Sequence, residues 1–246
     1  LTVKTFYDTL WQDFMTIKEN ILRLQDDISF VCKRNGRDPK EVTIIGVTKY
    51  ADIPAIQEAV NCGVVHIAEN RVQEAREKFL SPQFPKEKLT RHMIGHLQTN
   101  KVKEALKFFD VIQSVDSLKL AEAIDRSAWE LKRSFEVLIQ VNTSGEAQKS
   151  GVAYSEAMDL IKSAVALKNI RVSGLMTMAP QTKDKGAVRD CFRKTRELRN
   201  QIKAEFSDAK NIQMNFLSMG MSSDYDIALE EGSNMVRIGS CIFKHE

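Results

Sequence analysis

The stretch "TIIGVTKYADI", Thr43 to Ile53, runs apolar and β-branched until Lys49 stands where the run stops. An amine among apolar walls has its charged form disfavoured, and a neutral amine is the nucleophile that a Schiff base with an aldehyde requires. A lysine that only snorkels to solvent would leave the same trace. Near the other end, "LSMGMSSDYDIALEEG" sets Ser222 and Ser223 at the start of a helix, where free backbone N–H groups make an anion site. "MVRIGSCIF" then follows Arg237 with Gly239, which permits close backbone approach, and Ser240, which adds a hydroxyl donor. Helix capping explains any one of these serines, but not readily their pairing across two successive turns. Arg237 stays charged under ordinary conditions and needs a partner, the plain alternative being a buried structural ion pair.

Other candidates sit where apolar runs end. Asn70, in "IAENRVQEA", is placed equally well to cap a helix or to hydrogen-bond a ligand. His92 and His96 flank Ile94 and Gly95 and straddle a strand end; without a nearby acidic or cysteine partner they read as a pocket wall, not a metal site. The polar loop "NTSGEAQKSG", residues 142–151, has the length of a lid or a partner contact, and its Lys149 reads as an exposed loop lysine.

The elements that must position these residues alternate in type. Leu10, Phe14, Ile17, Ile21, Leu24, Ile28 and Val31 step by four and three, which predicts one long helix over residues 1–35, stopped by Gly36 and Pro39. Its apolar stripe needs a cover, either the body of the domain or a partner subunit. Short apolar runs follow at Val42–Val47, Val64–Ile67, His92–Ile94, Val111–Ile112, Val137–Val141, Val172–Leu175, Met214–Leu217 and Met235–Ile238. Helical periods lie between them, among them Ile53–Val60, Leu118–Ala128, Met158–Val165 and Val188–Ile202. Eight β/α units imply a parallel sheet. A doubly wound sheet would explain the alternation too, but no GxGxxG follows any strand, so the expected fold is α/β: a single (β/α)8 TIM barrel over residues 1–246 with an extra N-terminal helix. In such barrels the site lies at the C-terminal strand ends, and the loops after strands seven and eight often hold a phosphate.

Composition excludes several classes. A net charge of +3 on 246 residues, with Lys and Arg scattered among Asp and Glu, gives no nucleic-acid footprint. The 4 cysteines form no CxxC pair, so neither zinc spacing nor a disulfide framework is present and a reducing cytoplasm is expected. No apolar run approaches the roughly 18 residues of a membrane span, and the N-terminus lacks the order of a signal peptide.

A lysine at strand one and a phosphate cradle at strands seven and eight together suit an aldehyde that carries a phosphate. Pyridoxal 5′-phosphate fits, as do the phosphorylated carbonyls of Schiff-base aldolases. The blocks "VTKY" (47–50), "AENRVQEA" (68–75), "HMIGHLQTNK" (92–101), "VNTSGEAQKSG" (141–151), "GLMTM" (174–178), "LSMGMSSDY" (217–225) and "VRIGSCIF" (236–243) resemble, in this order, the YggS/PROSC-like pyridoxal phosphate homeostasis protein family. Ala68 departs from the family's usual Gly, and the ending "FKHE" from its usual tail.

The resemblance implies a fold-type III pyridoxal phosphate barrel related to the N-terminal domain of alanine racemase. Lys49 would carry the cofactor as a Schiff base, while Ser222, Gly239 and Ser240 hold its phosphate. Arg237 would face the pyridine nitrogen, with Asn70, His92 and Met219 among the remaining cofactor contacts. It further implies a carrier or regulator of the cofactor in vitamin B6 and amino-acid homeostasis, without an established catalytic activity. The racemases draw a tyrosine base from a second domain, and only a handful of residues follow strand eight here. The alternatives are a racemase-like enzyme with Lys49 as base and an interaction module in which the cofactor is incidental. Expected partners are the cofactor, amino acids and recipient apo-enzymes, with neither nucleic acid nor membrane, in a monomer or weak homodimer.

Overall fold

Runs of Val, Ile and Leu with few polar interruptions have no face to give to water, so they become strands covered on both sides. A computed structural model of the chain describes residues 15–143 and 150–243. Its strands are β1 (Thr43–Val47), β2 (His66–Glu69), β3 (Thr90–Met93), β4 (Val111–Val115), β5 (Phe135–Asn142), β6 (Val152–Ala153), β7 (Ile170–Met176), β8 (Ile212–Met221) and β9 (Met235–Ile238). Each strand pairs with its neighbours in parallel, in the order β4-β3-β2-β1-β9-β8-β7-β5, and a β4–β5 pairing closes the ring. The two-residue β6 pairs with β5 outside the ring. The expected eight-stranded parallel barrel is therefore the fold.

The helices are α1 (Ile17–Arg34), α2 (Ile53–Asn61), α3 (Val72–Phe79), α4 (Val102–Ala105), α5 (Leu118–Glu130), α6 (Ala157–Ala164), α7 (Lys185–Glu205), α8 (Tyr225–Glu230) and α9 (Ser240–Phe243). Local chemistry starts several of them. Asp52, Ser117 and Asp184 each accept a backbone N–H of the first turn of α2, α5 and α7. Among the described residues, no helix is long and apolar enough to cross a membrane.

Five of the barrel strands, β3, β4, β5, β7 and β8, are longer than the apolar runs that announce them. Ser218 to Met221, expected to open a loop, instead continue β8, whose register against β9 shifts between Ser218 and Met221. Inside the barrel, Ile45, Ala68, Leu138, Met176 and Met235 form an apolar plug. Ala68, where the family usually has glycine, is fully buried there.

Thr16 begins α1 with a capping box: its side chain accepts Glu19 N–H, and the Glu19 carboxylate accepts Thr16 N–H at 2.8 Å. Residues 1–14, with Leu10 and Phe14 of the expected stripe, lie outside the described residues, as do residues 144–149 with Lys149 and residues 244–246. The stripe that is described comprises Ile17, Ile21, Leu24, Ile28 and Cys32. It covers Leu229, Val236, Ile238 and Ile242 of the same chain, so the barrel itself meets the helix. Polar ties reinforce the contact. Asn20 Nδ2 donates to Ile242 O at 3.2 Å, and the Arg37 guanidinium donates to Leu229 O at 2.6 Å and Ser233 O at 2.8 Å. Tyr225 Oη donates to Asp27 Oδ2 at 3.1 Å.

Truncating this seam opens a cavity under the β8–β9 end of the barrel. Leu24→Ala lowers the unfolding free energy by about 2–5 kcal/mol, read from urea denaturation, with an unchanged m-value.

Candidate functional site

The residue before Lys49 is fixed on every polar atom. Thr48 is fully buried; its N–H donates to Ala68 O at 2.9 Å, and its Oγ1 donates to Glu69 Oε1 at 2.7 Å. Lys78, reaching in from α3, donates to Thr48 O and, at 2.8 Å, to the same Glu69 Oε1. Two lysines thus meet the end of β1 with opposite fates. Lys78 is bound in a buried ion pair with Glu69. Lys49 is half-buried, its Nζ 4.8 Å from the Tyr50 ring centroid, and no carboxylate among the described residues pairs with it.

Asn70 is not a cap. The residue preceding α3 is Arg71, which makes no side-chain capping bond, so the Asn70 amide remains available to the space in front of β2. Gly95 allows this arrangement: a Cβ at that position would lie 2.0 Å from Asn70 O. Of the two histidines flanking this turn, His96 reaches the cavity wall, with Nδ1 3.4 Å from Asp116 Oδ2. His92 points into the barrel and is 1% exposed. Burial, reinforced by neighbouring His66, pushes its pKa down to about 3.

On the opposite wall, Gly220 takes φ +94, and a Cβ there would meet Ala228 Cβ at 2.6 Å. Only glycine makes that bend, which carries the chain out of β8 into Ser222 and Ser223. Ser222 Oγ accepts Cys241 N–H at 3.3 Å and so links the β8 turn to the first turn of α9. The backbone N–H groups of Ser222, Ser223 and Ser240 take no acceptor from the described residues.

Arg237, 3% exposed, has no carboxylate among its hydrogen-bond acceptors. Nη1 donates to Ser218 O at 2.7 Å and Ser218 Oγ at 2.9 Å, and Nη2 donates to Thr177 O at 2.9 Å. Burial pulls the guanidinium pKa down to about 10, against the opposing pull of the Asp224 carboxylate, so it is a cation at neutral pH. The expected alternative of a structural ion pair is thereby replaced by a cation held by neutral oxygens. Burial in turn raises the Asp224 pKa, while the Met221 N–H and Arg237 act to lower it.

These walls enclose a cavity of about 700 Å³ at the C-terminal mouth of the barrel. Lys49, Asn70, Ser222, Arg237, Gly239 and Ser240 all line it. His92 and Met219 do not: His92 is buried inside the barrel beneath, and Met219 is fully buried in the core cluster that includes Ile227 and Ala228. Tyr50, His96, Gln140 and Met178 line the cavity without having been singled out for the wall at the strand ends, His96 excepted as one of a pair. Gln113 and Ser218, buried below it, were also missed. For Gln113, a glutamine inside the fully buried strand "VIQSV" was the available signal.

A model of the alanine racemase N-terminal domain matches residues 32–246. The chain is similar to a pyridoxal phosphate homeostasis protein of Aquifex aeolicus, at 38% identity over 93% of this chain and 98% of that protein. Among solved structures it is similar to PipY of Synechococcus elongatus PCC7942 with PLP bound, at 32% identity, a TM-score of 0.79, and coverage of 93% of this chain and 100% of that one. An alanine racemase of Clostridium difficile shares the fold, at 17% identity and a TM-score of 0.69 over 92% of this chain and 56% of that one.

His92 gives the fold a pH dependence of definite sign. The unfolded chain takes up the proton near the ordinary histidine value of 6.5, whereas the folded chain does so only near 3. The His92 contribution is therefore intact above about pH 6.5 and is lost progressively as pH falls toward 3. In thermal unfolding across that window, His92→Gln shows a flatter fall of midpoint with acidification than wild type.

Proposed function

The chain belongs to the pyridoxal phosphate homeostasis protein family, and on that premise we propose that it binds pyridoxal 5′-phosphate at the barrel mouth and carries or regulates the intracellular supply of that cofactor. One observation carries the reading. A lysine without an ion-pair partner among the described residues, a guanidinium held by neutral oxygens and a turn rich in hydroxyl and N–H donors converge on one cavity from strands far apart in sequence.

The ligand has three handles, and the residues present fit each. Lys49 supplies the amine for a Schiff base with the aldehyde, and Thr48, locked from behind, fixes where that amine emerges. Ser222, Gly239 and Ser240 supply hydroxyl and N–H donors for the phosphate. Arg237 meets the pyridine nitrogen with N–H donors and a positive charge that opposes protonation there. Asn70 orients the ring from the β2 side, His92 supports the floor from below, and Met219 acts only through the packing of β8. When bound, the cofactor would supply an electron sink for amino-acid chemistry. A cation beside its nitrogen weakens that sink, which favours holding the cofactor over turning substrate over.

Residues 1–246 act in this reading as one cofactor-binding domain, as a monomer or weak homodimer. Amino acids reach the open mouth and apo-enzymes receive the cofactor. The cysteines at 32, 62, 191 and 241 form no disulfide, which suits a reducing cytoplasm. A racemase-like enzyme with Lys49 as base is the second reading, favoured by the alanine racemase domain match.

Borohydride reduction after incubation with pyridoxal phosphate leaves a pyridoxyl group on Lys49, found by peptide mass spectrometry, and Lys49→Ala loses both the label and the visible band. Added L-amino acids keep their configuration on chiral chromatography. A steady rise of the D-enantiomer would establish the racemase reading instead, and an unlabelled wild type would reject the site.

A further inference from the structure

Beneath the cavity a line of buried polar side chains crosses the barrel interior, and its central member, Gln113, belongs neither to the sequence blocks nor to the cofactor contacts. It starts at Arg237 on β9, whose Nη1 donates to Ser218 Oγ on β8 at 2.9 Å. Ser218 Oγ donates across the barrel to Gln113 Oε1 on β4 at 2.6 Å. Gln113 Nε2 lies 2.9 Å from His92 Nδ1 on β3 and also contacts Met235 Sδ at 3.3 Å. His92 Nε2 lies 3.0 Å from His66 Nδ1 on β2. Gln113 and Ser218 are 0% exposed and His92 1%.

The donor inventory of these groups gives the line one direction. A guanidinium only donates, so Ser218 Oγ accepts from it and passes its single hydrogen to Gln113 Oε1. The amide then turns its NH₂ toward His92, so Nδ1 of that ring accepts and its proton sits on Nε2, facing His66. Arg237 thus fixes the amide orientation and the imidazole tautomer beneath it. In return, the line fixes the guanidinium. With Nη1 and one Nη2 hydrogen committed to Ser218 and Thr177, Nε–H and the second Nη2–H remain for an occupant of the cavity. Ser218, Gln113 and the burial-neutralised His92 carry no charge, so the cation is oriented without being neutralised.

We propose that Gln113, acting through Ser218 and backed by His92, is the positioning residue that sets the orientation of Arg237 toward the ring nitrogen of the bound cofactor, and that its neutrality is what the position requires. The inference rests on the pyridoxal phosphate reading of the cavity. A hydrophobic residue at 113 leaves Ser218 Oγ with a buried hydrogen and no acceptor, which weakens the hydroxyl's hold on Nη1 and leaves the guanidinium to the Ser218 and Thr177 carbonyls alone. A carboxylate at 113 instead puts a negative charge three hydrogen bonds from the ring nitrogen, through Ser218 and Arg237, favouring its protonation.

The test uses wild type, Gln113→Leu, Gln113→Glu and Ser218→Ala, each loaded with pyridoxal phosphate labelled with ¹⁵N in the ring. Borohydride labelling of Lys49 in wild type first establishes the site; if that fails, the cofactor reading fails, whatever the variants do. Given a labelled wild type, Gln113→Leu and Ser218→Ala raise the cofactor dissociation constant about tenfold, as for loss of one hydrogen bond to a charged group. Both move the ring ¹⁵N resonance toward that of a free pyridine. Gln113→Glu moves the resonance the opposite way, toward the pyridinium position. Folded variants whose ring ¹⁵N resonance coincides with that of wild type overturn the proposal and leave Gln113 a structural core residue. Should Gln113→Leu fail to fold, Gln113→Glu and Ser218→Ala decide the matter by the same resonance.

Discussion

Burying the Arg237 guanidinium removes five N–H donors and a full charge from water, and everything around the upper barrel answers to that. A carboxylate at hydrogen-bonding distance would be the common solution, yet it would leave a neutral pair facing the cavity. Here Ser218 and Thr177 supply oxygens without charge, and the nearest acidic influence, Asp224, is spent on Met221 N–H at 2.6 Å. Three of the five N–H donors are satisfied, and the charge is not. An electropositive floor of this kind suits a ligand that brings its own acceptors.

Lysine placement follows related logic. Glu69 is fully buried between the sheet and α3, a costly position for an ionised carboxylate unless a cation and hydrogen bonds meet it. Lys78 and Thr48 provide them, and the result stiffens the strand end just before Lys49. The ion pair behind β1 occupies Glu69, and among the described residues no carboxylate pairs with the lysine in front of it. Site rigidity on one wall comes from this pair and, on the other, from the bend at Gly220 and the Ser222–Cys241 link.

How much of this was legible depended on the range of each signal. The barrel was readable because apolar runs and helical periods are local patterns, and their alternation leaves few topologies. Lys49, Ser222 and Arg237 were readable because they end such runs. Strand boundaries were not: the last residues of β8 include serine and glycine, and their strand geometry comes from pairing with β7 and β9. Asn70 illustrates a local ambiguity resolved by position, since the helix begins one residue later than capping by Asn70 would need. The helix stripe includes Val31, which is partly buried against the barrel, and adds the buried Cys32, because a side of the barrel covers more of the helix than a periodicity count locates. Gln113 was the true blind spot. Its partners Ser218 and Met235 are more than a hundred residues away, and a lone polar residue in a buried strand names no partner.

β9 shows how these constraints meet in four residues. Successive side chains of a strand face opposite ways. Met235 and Arg237 therefore enter the barrel, the first in its apolar plug and the second beneath the cavity. Val236 and Ile238 face outward into the cluster formed by α1. The strand that sets the cation is thus clamped from outside by a helix two hundred residues earlier in the chain, and Asn20 extends that clamp to Ile242 at the end of α9. A displacement of α1 would be felt on both faces of β9, because a one-residue slip would exchange the arginine for an isoleucine or a valine. The N-terminal helix is for this reason part of the site's architecture, although none of its described residues lines the cavity.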